Sequence, residues 1–184
     1  MVFSEGGVQR YKLVFNSMEK ASEVYPQQME TNYILGRYCI DAVGILYEPW
    51  MIRTRTDRYD EKVREENEER IAEIEKQYGL NVEDLIHYAQ LGIDVHKRDI
   101  YMNPHYKWAH NNMGVLCDKM AMIQADLAAV TTDPEEKREH QAQAAELEAE
   151  SRECYAKALE IDDLQVYALF NLGISAYTKD RDFK

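Results

Sequence analysis

Two sets of landmarks recur along this chain with the same unequal spacing, and few kinds of fold can produce that. Gly36, Gly114 and Gly173 lie 78 and 59 residues apart, and Pro26, Pro104 and Asp163 are separated by the same 78 and 59. Each glycine follows a large apolar residue, in Ile34-Leu35-Gly36, Asn112-Met113-Gly114 and Asn171-Leu172-Gly173. In the third copy, Tyr155 and Leu159 precede the corner at Asp162-Asp163, and Leu169 and Leu172 follow it. These large residues recur at i, i+3 and i+4, beside the small Ala158 and Gly173. One helix ends, the chain turns, and a second helix starts, with small residues where the two must approach closely.

The same period runs along the whole chain. Residues 8–25 carry a stripe of Val8, Tyr11, Leu13, Val14, Met18, Ala21 and Val24, which Tyr25-Pro26 ends, because proline disfavours helical geometry in the residue before it. A second helix is predicted over 28–47, with a break or bend at Pro49-Trp50. Residues 57–77 are dominated by charge, with only Val63, Ile71, Ile74 and Tyr78 as an apolar edge. They predict a solvated helix that projects from the body, ended by Gly79. Asn81 is a candidate cap for a helix over 82–101, and Asn103-Pro104 forms the next corner. A helix follows to about residue 130. Asp133-Pro134 then gives a clear helix start, with Glu136 in its first turn, for a helix over 134–161. The last helix is predicted over 164–179. Residues 1–7 read as a disordered leader. The fold class expected is all-α.

The run Tyr155-Ala156-Lys157-Ala158-Leu159-Glu160-Ile161-Asp162-Asp163, leading into Ala168-Leu169-Phe170-Asn171-Leu172-Gly173, resembles the tetratricopeptide repeat. The likeness is to the second helix of one repeat entering the first helix of the next. It implies antiparallel helical hairpins stacked in a right-handed array, with repeat boundaries near Pro26, Pro104 and Asp163. Such repeats usually have a period of about 34 residues. The excess here falls at 48–80 and 118–150, so extended helices, or a charged insert at 57–78, should project from one edge of a single domain spanning 8–184. The first helix lacks a preceding partner and the last lacks a following one. We therefore expect a piece of a longer chain, or ends that pair with something else. The alternative is that the two terminal helices simply cap a small complete domain.

Composition removes several functions. The formal net charge is −12, and no run of Lys or Arg forms a basic patch, so nucleic acid and anionic lipid are not expected partners. No stretch is long and apolar enough to span a membrane, and no signal-peptide pattern opens the chain, so a cytoplasmic location is expected. Cys39, Cys117 and Cys154 form neither a disulfide framework nor a zinc pattern, and read as small buried hydrophobes. A thiol nucleophile paired with a distant histidine is the competing reading. His87, His96, His105, His110 and His140 make no metal-binding motif, and no phosphate loop, dinucleotide fingerprint or nucleophile elbow is present. We expect no enzyme, cofactor or metal. The acidic run lacks the spacing of a calcium loop and reads as a solvated face, with docking of a basic partner as its second use.

A groove remains. In the family this chain resembles, the first helix of each repeat lines a concave surface. Carried over by position, that surface takes Tyr33 and Arg37 with Glu30, Ile40 and Asp41 from the first such helix. The second supplies Trp108, Asn111, Asn112, Val115 and Lys119, and the third Tyr167, Phe170 and Asn171 with Ile174 and Thr178. The resemblance implies that Asn112 and Asn171 hold a peptide backbone, since an amide both donates and accepts. Trp108, Tyr167 and Phe170 would supply apolar pockets, unless they merely pack between helices. Replacing Asn112 and Asn171 by alanine should then weaken a peptide partner at little cost to thermal stability. The Lys and Arg of a carboxylate clamp are missing, so that subtype is rejected. The function expected is a non-catalytic protein-interaction scaffold that recognises a peptide or protein by groove and by arm. The alternative is a structural segment of a larger or homo-oligomeric assembly, docking through its apolar terminal helices. A ligand-binding or catalytic helical domain is the third reading.

Overall fold

The computed structural model describes residues 8–180, with side-chain environments from 12 to 175; the expected leader at 1–7 lies outside the described residues. The fold is all-α. The helices are α1 (Val8–Val24), α2 (Met29–Thr54), α3 (Glu61–Tyr78), α4 (Leu85–Met102), α5 (Lys107–Val130), α6 (Pro134–Ile161) and α7 (Val166–Asp180), with 3-10 turns at Thr56–Arg58 and Val82–Asp84. None of the described helices is long and apolar enough to cross a membrane.

The three corners are built alike. At the end of α1, α4 and α6 the backbone N–H of Tyr25, Asn103 and Asp162 donates to the carbonyl of Ala21, Asp99 and Ala158, at 2.8, 2.8 and 3.0 Å. A second bond follows in each, from Gln28, Tyr106 and Gln165 to the carbonyl of Tyr25, Asn103 and Asp162. The third corner has no proline, yet it keeps this geometry. Asp162 Oδ1 accepts the N–H of Leu164 at 3.2 Å, as Asn103 Oδ1 accepts that of His105 at 3.1 Å. The same side-chain bond thus closes the turn with or without a proline beside it.

Helices α2 and α4 pack antiparallel, as do α5 and α6, and α4 lies on α5; α1 rests on α2, and α7 on α6 and α5. The crossings explain two of the repeated glycines. A Cβ placed on Gly36 would sit 2.2 Å from Nε2 of His96 in α4, and one on Gly114 would sit 2.6 Å from Cε1 of Tyr155 in α6. Each ring therefore fills the notch left by a missing side chain. His96 stands eight residues before Pro104, and Tyr155 eight before Asp163. Gly173 differs, because nothing lies within 4 Å of a Cβ built there. Around these crossings the core runs through Leu35, Cys39, Val43 and Leu46 of α2, Leu85, Ala89 and Ile93 of α4, and Leu116, Met120 and Ile123 of α5.

Two expectations need correction. The chain does not break at Pro49, since α2 continues to Thr54 with Pro49 inside it. Proline removes one helical donor there, but Pro49, Trp50 and Ile52 are all buried, and tertiary packing holds the segment helical. Nor does α3 project as a free arm. Ile71 and Ile74 join the core, and the buried Asn67 donates from Nδ2 to the Pro49 carbonyl at 2.9 Å. Arg53 of α2 bonds Glu68 and Glu83, and Arg70 pairs with Glu48 at 2.8 Å. The apolar edge of α3 is narrow, but it is enough to seat the helix on α1 and α2. The expected ends of α3 and α6 are present. Gly79 takes a left-handed φ of 65° after α3, and Asp133 accepts the N–H of Glu135 and Glu136 at the start of α6.

The glycine notches make a contrasting prediction. Gly36→Ala and Gly114→Ala should each destabilise by about 1–3 kcal/mol, because a rigid buried ring must move. Gly173→Ala should be neutral or stabilise by up to about 1 kcal/mol, as expected for glycine replaced in an exposed helix. Urea unfolding of the three variants checks this, and equal losses at all three sites would count against the notch account.

Candidate interaction surface

The residues expected to line a groove separate into three groups. Val115, Lys119 and Asn171 line one cleft of about 460 Å³ between α5, α6 and α7. Its remaining walls include Asp118, Met122, Glu148, Ile174 and Ser175. Tyr155 closes one side, its hydroxyl donating to Asp118 Oδ2 at 2.9 Å. Burial, and then the Asp118 carboxylate, push that phenol far above its ordinary range, so it stays a donor. Lys119 does not point freely into solvent, because its Nζ lies 5.3 Å from the centre of the Tyr47 ring.

Trp108 and Tyr167 form the second group. They stand at matching positions of α5 and α7, with ring centres 5.9 Å apart. Lys107 Nζ sits 5.5 Å from the Trp108 ring and also pairs with Asp162 at the corner. Trp108 is half-buried against its neighbour, whereas Tyr167 is 63% exposed and Phe170 64% exposed. Tyr33 and Arg37, on α2, are in neither group. Tyr33 packs its ring against Tyr106 at 5.9 Å, and Arg37 pairs along its own helix with Asp41. The side chain of Thr178 lies outside the described residues.

The third group corrects an expectation. Asn111 and Asn112 do not face a groove, since both are buried, Asn112 to 2% exposure. Asn111 Nδ2 donates to Asn112 Oδ1 at 3.3 Å, and Asn171 Nδ2 donates to Asn111 Oδ1 at 3.1 Å. These two bonds join α5 to α7, and Asn112 Nδ2 is left buried without a hydrogen-bond partner among the described residues. Removing these amides leaves buried polar groups unpaired, so replacing them cannot be expected to spare stability.

Beneath the surface lies a polar cluster that we did not anticipate. Ser22 of α1 donates to Asn32 Oδ1 at 2.7 Å, Asn32 Nδ2 donates to Asp99 Oδ1 at 3.1 Å and to the Pro26 carbonyl at 2.9 Å, and Arg98 donates to Ser22. His110 repeats the Pro26 contact one layer on, with Nε2 2.9 Å from the Pro104 carbonyl. A carbonyl can only accept, so that nitrogen carries the proton. The signal was present in the chain, because Asn32 and His110 each stand six residues after a corner proline. His96 is fully buried, with Nδ1 3.7 Å from Asp99 Oδ2, beyond hydrogen-bond length. Burial holds its imidazole below the ordinary histidine range and outweighs the carboxylate.

The three cysteines are buried and free. Burial pushes Cys39 and Cys154 up to about 12 and Cys117 higher still. Thiols held protonated at neutral pH make poor nucleophiles. Among the described residues, no group of three or more His, Cys, Asp or Glu is placed to hold a metal ion. Compared with known proteins, the chain matches no family model, no curated protein and no solved structure.

The buried imidazole sets a pH dependence. The folded state resists a proton that the unfolded chain binds with a pKa near 6.5, so stability should be highest above that value and fall as pH drops below it. The limiting slope is about 1.4 kcal/mol per pH unit. Urea midpoints between neutral pH and about 5 should show this decline, and His96→Leu should flatten it whatever its own stability. An unchanged slope in that variant would remove His96 as the cause.

Proposed function

We propose that this chain is a non-catalytic scaffold of tetratricopeptide-like helical pairs that binds a peptide or protein partner. The observation that carries the reading is one surface. Tyr167 and Phe170 stand exposed with Trp108 beside them, and the cleft lined by Val115, Lys119 and Asn171 opens between the same helices, α5 and α7. Contiguous exposed aromatic residues next to a concavity are the usual material of binding hot spots. The recognising groups are then apolar rings, not the backbone-gripping amides of Asn111 and Asn112. The matched corners and the notches at Gly36 and Gly114 support kinship with the repeat family, although the long α5–α6 hairpin and the inserted α3 depart from its usual period. The free buried thiols accord with a reducing, cytoplasmic setting. Assembly with other chains is the second reading, favoured by the uncovered face of α7 around Gly173.

The test is a selection from a random peptide library against the purified chain, followed by titration of the selected peptides. Tyr167→Ala with Phe170→Ala should weaken them by tenfold or more, the loss of about 1.4 kcal/mol or greater typical of hot-spot residues. Both side chains are mostly exposed, so the melting temperature should hardly move. Selected peptides that bind the double variant as tightly as the parent would place recognition elsewhere.

A further inference from the structure

Among the described residues nothing covers the outer faces of α1 and α7, and the two faces are complementary in register. In each internal pair, a glycine ten residues after a corner receives a large side chain from eight residues before a corner. Gly36 receives His96, and Gly114 receives Tyr155. Gly173 is the third such glycine, and among the described residues nothing fills its notch. Met18 is the third such large side chain, eight residues before Pro26, and it sits half-buried at the edge of the core without a glycine opposite. The chain thus carries one unfilled notch on its last helix and, on its first, one knob position whose side chain is only partly taken up by its own core.

The neighbouring positions agree. Six residues after the corner, Asn32 meets Asp99, which stands five before the next corner, in a polar pair. The corresponding residues at the open faces are Leu169, 50% exposed, and Ala21, so an apolar pair would replace a polar one. A third contact comes from the seam between α4 and α6, where Lys97 meets Glu150 at 3.0 Å. The same places on α6 and α1 are held by Ala156 and by Leu13, which is 65% exposed. No uncompensated charge enters the junction at these positions.

We propose that copies of this chain associate head to tail, the α7 face around Gly173 of one copy receiving α1 of the next, with Met18 over the glycine. The junction continues the contacts made by α2 with α4 and by α5 with α6. It is heterologous, so each added copy presents the same open face again, and the product is an open string or a closed ring and not a two-fold dimer. The net charge of −12 opposes association, so salt should favour it. The proposal deepens the assembly reading and does not rest on the cleft, because Leu169 and Gly173 lie on a different side of α7 from Asn171 and Ser175, although Gly173 neighbours the exposed Phe170.

Two substitutions at exposed positions test it without disturbing the monomer. Gly173→Glu fills the notch, and Leu13→Glu places a charge on the exposed face of α1. Sedimentation of the parent chain in high salt should show a mass that rises with concentration beyond that of two copies, and each variant alone should sediment as a single copy. An equimolar mixture of the two should form a one-to-one pair and nothing larger, because the Leu13→Glu copy keeps its notch and the Gly173→Glu copy keeps its knob. A parent that stays monomeric, association that survives either substitution, or a mixture that fails to pair would overturn the proposal. Peptide binding by the Leu13→Glu variant, whose substitution lies on α1 away from Tyr167 and Phe170, should match the parent, so loss of assembly and loss of the peptide site are read separately.

Discussion

The fold depends on two rings that occupy the space of two missing side chains. His96 over Gly36 and Tyr155 over Gly114 set how closely α2 approaches α4 and α5 approaches α6. Close-packed interiors tolerate little change in volume at such points. Once the approach is fixed, Cys39 meets Gly92, Leu116 packs over the same glycine, and the core residues on either side fall into place. The repeated spacing of 78 and 59 residues then has a mechanical meaning. It keeps each knob opposite its notch, while the segments between are free to lengthen.

Buried polar groups finish the alignment that apolar packing leaves loose. The Ser22–Asn32–Asp99 cluster ties α1, α2 and the end of α4 to the first corner. A second cluster ties the far end of α2 to α5, where Arg55 pairs with Asp126 at 3.3 Å and Tyr47 donates to the same carboxylate at 2.8 Å. Burial, and then that hydrogen bond, raise the Tyr47 phenol well above its usual range, so it remains a donor. Hydrogen bonds of this kind are directional where dispersion is not, and they pin the rotation of each helix about its axis. They also account for helix α2 persisting past Pro49, since its last turns are anchored at both faces.

The candidate surface follows from the same geometry. Helices α5 and α7 are pressed together along the asparagine line, Asn112 to Asn111 to Asn171, which turns the amides inward and leaves Tyr167 and Phe170 outward. Reading position by position from a resemblance set Val115, Lys119 and Asn171 on one surface, and in the fold the three line one cleft. It failed for Asn111 and Asn112, because an amide on a helix face is as well satisfied by another amide as by a peptide, and only the neighbouring helix decides which it meets. Asp118 and Glu148 escaped notice for a related reason. Their relevance comes from α6 lying across α5, not from any local pattern.

Local chemistry alone determined the helices and their corners, whereas which of the repeated glycines met a ring was settled by distant residues, since Gly36 and Gly114 do and Gly173 does not. Helical period, the residue before proline, the Asp133 cap and the left-handed Gly79 are all decided within a few residues. Tertiary structure decided what became of segments whose local signals were weak or divided. The charged turns of α3 offered only Val63, Ile71, Ile74 and Tyr78 as an apolar edge, too little to fold against anything until α2 supplied Arg53, Glu48 and the Pro49 carbonyl. The proline in α2 was a break by its own chemistry and a helix interior by its burial. Long-range contacts carry more free energy than a missing donor removes, and they depend on residues far away in the chain, so no short stretch of sequence displays them.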